Sequence, residues 1–176
     1  MHEASCHGVP RMKSSDRTFD AAPTFDIRED DLSSAPTREL LAYHLRQMHA
    51  HSPAGSVYAL DLAGLQQPGV TVWTAWRDGE PVAVGALKML GGHDAELKSM
   101  RTHPRHLRQG GAAAMLEHII AVARARGVKR LSLETGSGPA FEPALALYRR
   151  GGFRNGPAFS DYTASEFNQF LHLALD

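Results

Sequence analysis

From Thr24 onward the apolar positions fall into two rhythms, one helical and one alternating. Positions 40, 41, 44, 45 and 48 return at helical spacing and predict a helix over 36–51. A loop with Pro53, Gly55 and Gly64 follows and reaches Pro68. "VTVWTAW" (70–76) and "PVAVGALKML" (81–90) flank Asp78-Gly79, which predicts a hairpin. A further strand is expected at "AELKSMRT" (95–102), and "TFDIRED" (24–30) marks where the structured chain begins.

The helical rhythm returns over 110–126, with Leu116, Ile119, Ile120 and Ala123 on one face. Arg124 and Arg126 suit its C-terminal end and Gly127 stops it. A strand at "RLSLE" (130–134), a helix at "EPALALYRR" (142–150) ended by Gly151-Gly152, and a closing strand at "QFLHLAL" (169–175) complete the chain. The order strand, helix, three strands, helix, strand, helix, strand predicts an α+β fold, three-layered in character, with one β-α-β crossover. There is no internal repeat and no second domain. Residues 1–22 are polar and aperiodic, so they are expected to form a disordered tail before a single domain over 23–176. Met12 offers a second start.

Composition narrows the classes. Lys+Arg and Asp+Glu are 19 each, so no global field recruits nucleic acid or an anionic membrane, and any anion site must be local. Cys6 is the single cysteine, which excludes an intrachain disulfide and fits a reducing, cytoplasmic setting. The N-terminal residues lack the apolar stretch of a secretory signal, and no apolar run is long enough to span a bilayer.

"RQGGAAAMLEHI" (108–119) places two glycines and three alanines after an arginine cluster. One reading is a flexible linker. The other is a phosphate seat, since the first backbone N–H groups of a helix lack partners and small residues let an anion approach them. Arg105 and Arg108 would add charge to Gly110, Gly111 and Ala112. No G-x-x-x-x-G-K-[ST] is present and no G-x-G-x-x-G follows a strand, which removes the Walker loop and weakens a dinucleotide fold.

"MRTHPRHLRQGGAAAMLEHI", "ARARGVKRLSLET" and "PALALYRRGGF" together resemble the GNAT (Gcn5-related) N-acetyltransferase superfamily, most nearly its small bacterial YsnE-like branch. The resemblance runs from about Thr24 to the C-terminus. It implies a mixed, mostly antiparallel twisted sheet whose central β-α-β unit binds acetyl-CoA. It also implies acetyl transfer to a primary amine of a small molecule or peptide, and it permits a homodimer. The cofactor loop would be Leu107, Arg108, Gln109, Gly110, Gly111, Ala112 and Ala113, with Leu107 where the family carries Gln or Arg. The missing charge would come from Arg105 or Arg108. Met100, Arg101 and Thr102 would form the strand end whose main chain holds pantetheine, and Phe141 stands where the family often has an Asn seven residues before the tyrosine, here Tyr148.

Acetyl transfer needs a base for the ammonium, an oxyanion donor and an acid for the departing thiolate. By resemblance Tyr148 is the acid, against a half-buried packing tyrosine. Glu96 is the base, sharing a strand face with Lys98, Met100 and Thr102, against an ion pair with Lys98. A backbone N–H near Met100 would face the oxyanion. Glu134 belongs either to the acceptor pocket or to solvent, and together with Asp61, Glu142 and Asp161 it suggests a cationic substrate. The pairs His49-x-His51 and His103-x-x-His106 lack further ligands, so no metal is expected. Arg101, Arg105, His106 and Arg108 have no interleaved aromatics, which argues against nucleic acid. The competing functional reading is a catalytically silent acyl-CoA-binding or sensor domain on the same scaffold. An RNA-associated basic module stands third.

Overall fold

The computed structural model describes residues 24–176, so the tail expected over 1–22, with Cys6 and Met12, lies outside the described residues. The chain begins with β1 (Asp26–Glu29), α1 (Ala35–His51), the single turn α2 (Leu62–Leu65) and β2 (Val70–Arg77). It continues through β3 (Glu80–Gly91), β4 (Asp94–Thr102), α3 (Gly111–Ala125) and β5 (Arg130–Gly136). It ends with α4 (Glu142–Arg150), β6 (Arg154–Asn155) and β7 (Asn168–Ala174). The sequence anticipated these elements except α2 and β6, which have four and two residues, and it did not mark the 3-10 turn at Pro104–His106.

Among the described residues the strands form one sheet in the order β1-β2-β3-β4-β5-β7-β6. Its neighbouring pairs are antiparallel except β4 with β5. Only that parallel joint needs a crossover, and α3 supplies it. Asp78 and Gly79 turn β2 into β3 with φ of +53° and +78°, as a two-residue hairpin of the I′ kind requires.

Alternation along β3 separates two cores. Val84 and Ala86 join Leu40 and Leu41 of α1 on one face. Ala83 and Leu87 join Met115 and Ile119 of α3 and Leu145 of α4 on the other. Gly85 permits the close approach of α3, because a Cβ there would stand 2.7 Å from Met100 Sδ and 2.8 Å from Ile119 Cδ1.

Two helices end alike. After α3, Gly127 (φ +75°) donates to the Arg124 carbonyl and Val128 to that of Ala123. After α4, Gly152 (φ +94°) donates to the Arg149 carbonyl and Phe153 to that of Tyr148. Both are Schellman motifs, in which the apolar residue beyond the glycine packs back on the last turn. The Tyr148 and Phe153 rings lie 6.0 Å apart accordingly.

β4 does not alternate throughout. Lys98 pairs with Ala86 and Arg101 with Val84, so Ser99 and Met100 share the space opposite Gly85. Ser99 takes φ +54° at this β-bulge. The common face expected for Glu96, Lys98, Met100 and Thr102 is therefore broken. Register puts Glu96, Lys98 and Arg101 on the α1 face, and Leu97, Met100 and Thr102 on the α3 face. β4 and β5 pair only from Asp94↔Arg130 to Glu96↔Ser132 and then part. Beyond that point β4 stays with β3, and β5 with β7.

Candidate active site

A cavity of about 440 Å³ opens where β4 and β5 part, within the size range of small-molecule sites. Its walls include Lys98, Ser99, Met100 and Arg101 of β4, Glu134 of β5, and Tyr148 of α4. α1 and the 56–59 loop close the side away from α4.

Tyr148 is 7% exposed, and its hydroxyl has no hydrogen-bond partner among the described residues. Burial pushes its pKa up to about 12, against the nearby Arg101 charge, which lowers it. The phenol is thus held protonated at neutral pH. Phe141, standing where the resemblance implies an Asn, forms an apolar wall edge-on to Phe167 at 5.5 Å.

The carboxylates divide. Glu96 is 3% exposed and takes Lys98 Nζ at 3.0 Å, so the ion pair weighed against a base at this position is formed. The Tyr162 hydroxyl donates to the same carboxylate oxygen, and Lys98 donates to that hydroxyl at 2.7 Å. Burial and Glu96 both raise the pKa of Tyr162, so it too stays protonated. Glu134 lines the cavity. Burial lifts its pKa from 4.5 to about 7, with Lys98 lowering it and Glu96 raising it.

Sequence reasoning missed Tyr162, because its loop carries no periodicity and its partner Glu96 lies far away in the chain. In space its ring meets Tyr58, Phe159 and Phe170 at 5.0, 5.1 and 5.8 Å.

At the start of α3 the N–H groups of Gly111, Ala112 and Ala113 make no described hydrogen bond. Arg108 (φ +59°) and Gly110 (φ +87°) turn the loop before them. Gly111 also has a packing reason for its missing side chain, beside the anion's approach expected of it. A Cβ there would stand 2.5 Å from Val82 Cγ1.

Of the expected cations, Arg105 reaches Glu80 at 3.4 Å, and Arg108 has no carboxylate partner among the described residues. Arg77, not anticipated, donates to the side-chain oxygen of Gln109. Leu107 is 59% exposed. His106 faces Glu80 at 3.0 Å and His51 faces Gln47 at 3.3 Å. Among the described residues no three His, Cys, Asp or Glu side chains gather as metal ligands. No described helix is long and apolar enough to cross a membrane.

Residues 28–153 match the Acetyltransferase (GNAT) family. The chain is 42% identical over 151 residues to the uncharacterized N-acetyltransferase YedL of Escherichia coli, covering 86% of this chain and 95% of that one. It is 46% identical over 145 residues to the uncharacterized N-acetyltransferase YsnE of Bacillus subtilis, covering 82% and 96%. A solved Klebsiella pneumoniae chain, named for acyl-CoA N-acyltransfer, superposes with a TM-score of 0.74 at 26% identity, covering 86% of this chain and 98% of that one. A parted parallel joint, a helix start with free N–H groups behind it and a protonated tyrosine in the gap agree with these likenesses: the chain belongs to the GNAT family of N-acetyltransferases.

Proposed function

We propose that the chain moves an acetyl group from acetyl-CoA to a primary amine of a small molecule or peptide, with Tyr148 as acid and Glu134 as the carboxylate that receives the amine's proton. The observation carrying this reading is that both groups line one cavity at the β4–β5 gap, each in the protonation range its role needs. The free N–H groups of Gly111, Ala112 and Ala113 suit the pyrophosphate, with Arg108 and Arg77 nearby as positive charge. Met100 and Arg101 border the gap that would take pantetheine, and Thr102 follows them at the end of β4.

The amine nitrogen, once neutral, attacks the thioester carbonyl carbon. The new C–N bond forms as the C–S bond breaks, the thiolate leaves with the proton of the Tyr148 hydroxyl, and the second proton, shed by the acylated nitrogen, restores the Tyr148 phenol. The proton lost by the ammonium goes to Glu134. Glu96 then serves as a positioning residue: it holds Lys98 and Tyr162 and, through its charge, helps keep Glu134 basic. A cytoplasmic setting is proposed as well, in keeping with the single cysteine.

Release of free CoA thiol, measured over a panel of primary amines, tests the reading. Tyr148→Phe is expected to lower kcat by about 10²–10⁴-fold while acetyl-CoA affinity barely changes. Acetyl-CoA binding without thiol release for any amine supports the silent acyl-CoA-binding domain instead. A wild-type rate in Tyr148→Phe, with chemistry limiting, reduces the tyrosine to a packing residue.

A further inference from the structure

Arg101 is a cation without a counterion. It lies half-buried on the cavity wall, and none of the described ion pairs includes it. Its Nε donates to His44 Nδ1 at 3.1 Å, one Nη approaches Met48 Sδ at 3.9 Å, and the guanidinium lies over the Tyr43 ring at 5.7 Å. These contacts hold the fork in place without neutralising it. A buried charge left in this state is costly until an anion arrives.

Two neighbours share its want of a partner. The Ser99 Oγ, on a residue 7% exposed at the bulge, is buried without a hydrogen-bond partner among the described residues, and Ser99 borders the same cavity. Burial first, then the charges of Arg101 and Lys98, lower the His44 pKa to about 3, so its ring is neutral. With Nδ1 accepting from Arg101, the proton sits on Nε2, which has no partner among the described residues.

The other charged wall groups are accounted for. Lys98 is matched by Glu96, and Glu134 is assigned to the reacting ammonium. The pyrophosphate seat cannot supply the anion, because it lies at the start of α3, whereas register puts Arg101 on the α1 face. The counterion must come with the acceptor.

Resting on the acetyl-transfer reading, we propose that the acceptor is an amino acid, an amine carrying its own carboxylate, whose carboxylate is bound by Arg101 while its ammonium faces Glu134. The wall then offers one fixed cation and one carboxylate to a zwitterion, charge for charge. A planar guanidinium also suits a carboxylate geometrically, since it can give two parallel N–H groups.

The experiment measures thiol release from acetyl-CoA by the whole chain with free amino acids, each beside its primary amide. The amide's amine is the less basic of the two, so basicity alone favours the amide near neutrality. A preference for the acid must then come from the carboxylate. The best acid is expected to exceed its amide in kcat/KM by about tenfold to a hundredfold, carried mainly by KM for the acceptor. Arg101→Met should erase that preference and Arg101→Lys should keep part of it, both read as the acid-to-amide ratio so that any change in acetyl-CoA use cancels.

Equal use of acid and amide by the parent, or a preference that survives Arg101→Met, overturns the carboxylate seat and leaves acetyl transfer standing. If Arg101→Met fails to fold, the acid-to-amide ratio of the parent and of Arg101→Lys decides. Thiol release with no amine overturns the transfer reading instead. Calorimetry of the same acids on the acetyl-CoA-loaded parent and on Arg101→Met then judges the seat: binding to the parent alone supports it, and any other pattern discards it.

Discussion

Burial opposes the charge of Glu134, Lys98 favours it and Glu96 opposes it again, and the balance places its pKa at about 7 rather than 4.5. The consequence for stability has a definite sign. Below about 4.5 the carboxyl is protonated in both folded and unfolded chains. Between about 4.5 and about 7 only the unfolded chain gives up the proton, so this residue makes the fold less stable as pH rises, and above about 7 the penalty is complete. Glu134→Gln, which mimics the protonated form, should therefore melt higher than the parent at pH 8 and no higher at pH 4. In kinetics the parent should show a limb of kcat/KM rising through about pH 7, and the variant should lose that limb. An unchanged profile with the expected melting shift would leave Glu134 a structural carboxylate. Its place was legible, since it lies on the strand after the crossover. Its titration was not, because the opposing Lys98 and Glu96 come from a different strand.

At the level of the element, the start of α3 separates packing from binding at adjacent positions. Gly111→Val meets Val82 at once and is expected to destabilise the fold by about 1–3 kcal/mol through overpacking. Ala112→Asp adds a carboxylate at a helix N-terminus, where it is worth about 0.3–1 kcal/mol in the helix's favour. It also repels a pyrophosphate, so melting temperature should hold or rise while acetyl-CoA affinity falls at least several-fold. Unchanged affinity by calorimetry would remove this turn from the site. The small-residue run was readable, but its two causes were not separable without Val82 opposite Gly111. The bulge in β4 had left a trace. Apolar residues at 95 and 97 are followed by one at 100, a step of three among steps of two, and the pair Lys98-Ser99 stands in the slip. A strict reading of alternation carried Met100 onto the wrong face.

Across the whole molecule, the parallel joint is short by design of its register, and what lies beyond it is backbone without a strand partner on one side. Amide exchange should be slow at 94–96 and 130–132, where β4 and β5 pair. On the gap side of 97–102 and 133–136 it should be faster, and it should slow when acetyl-CoA is added. Protection that ignores acetyl-CoA would place the pantetheine elsewhere. The overall architecture was legible because local periodicity and one crossover constrain it strongly. The site was legible only where it lies on regular elements. Contacts such as His44–Arg101 and Glu96–Tyr162 join residues 57 and 66 positions apart, and no local pattern announces them.

The glycine and phenylalanine after α4 bear on how such chains lose function. Phe153 donates to the carbonyl of Tyr148 itself, and their rings lie together, so the helix cap helps fix where the tyrosine backbone stands. Selection for a folded protein is enough to preserve Gly152 and Phe153, whatever becomes of catalysis. In a descendant that has ceased to transfer acetyl groups, the Gly-Phe signature should outlast the phenolic oxygen. A related chain reading Phe at position 148 with the cap intact would be a scaffold retained after its chemistry was abandoned.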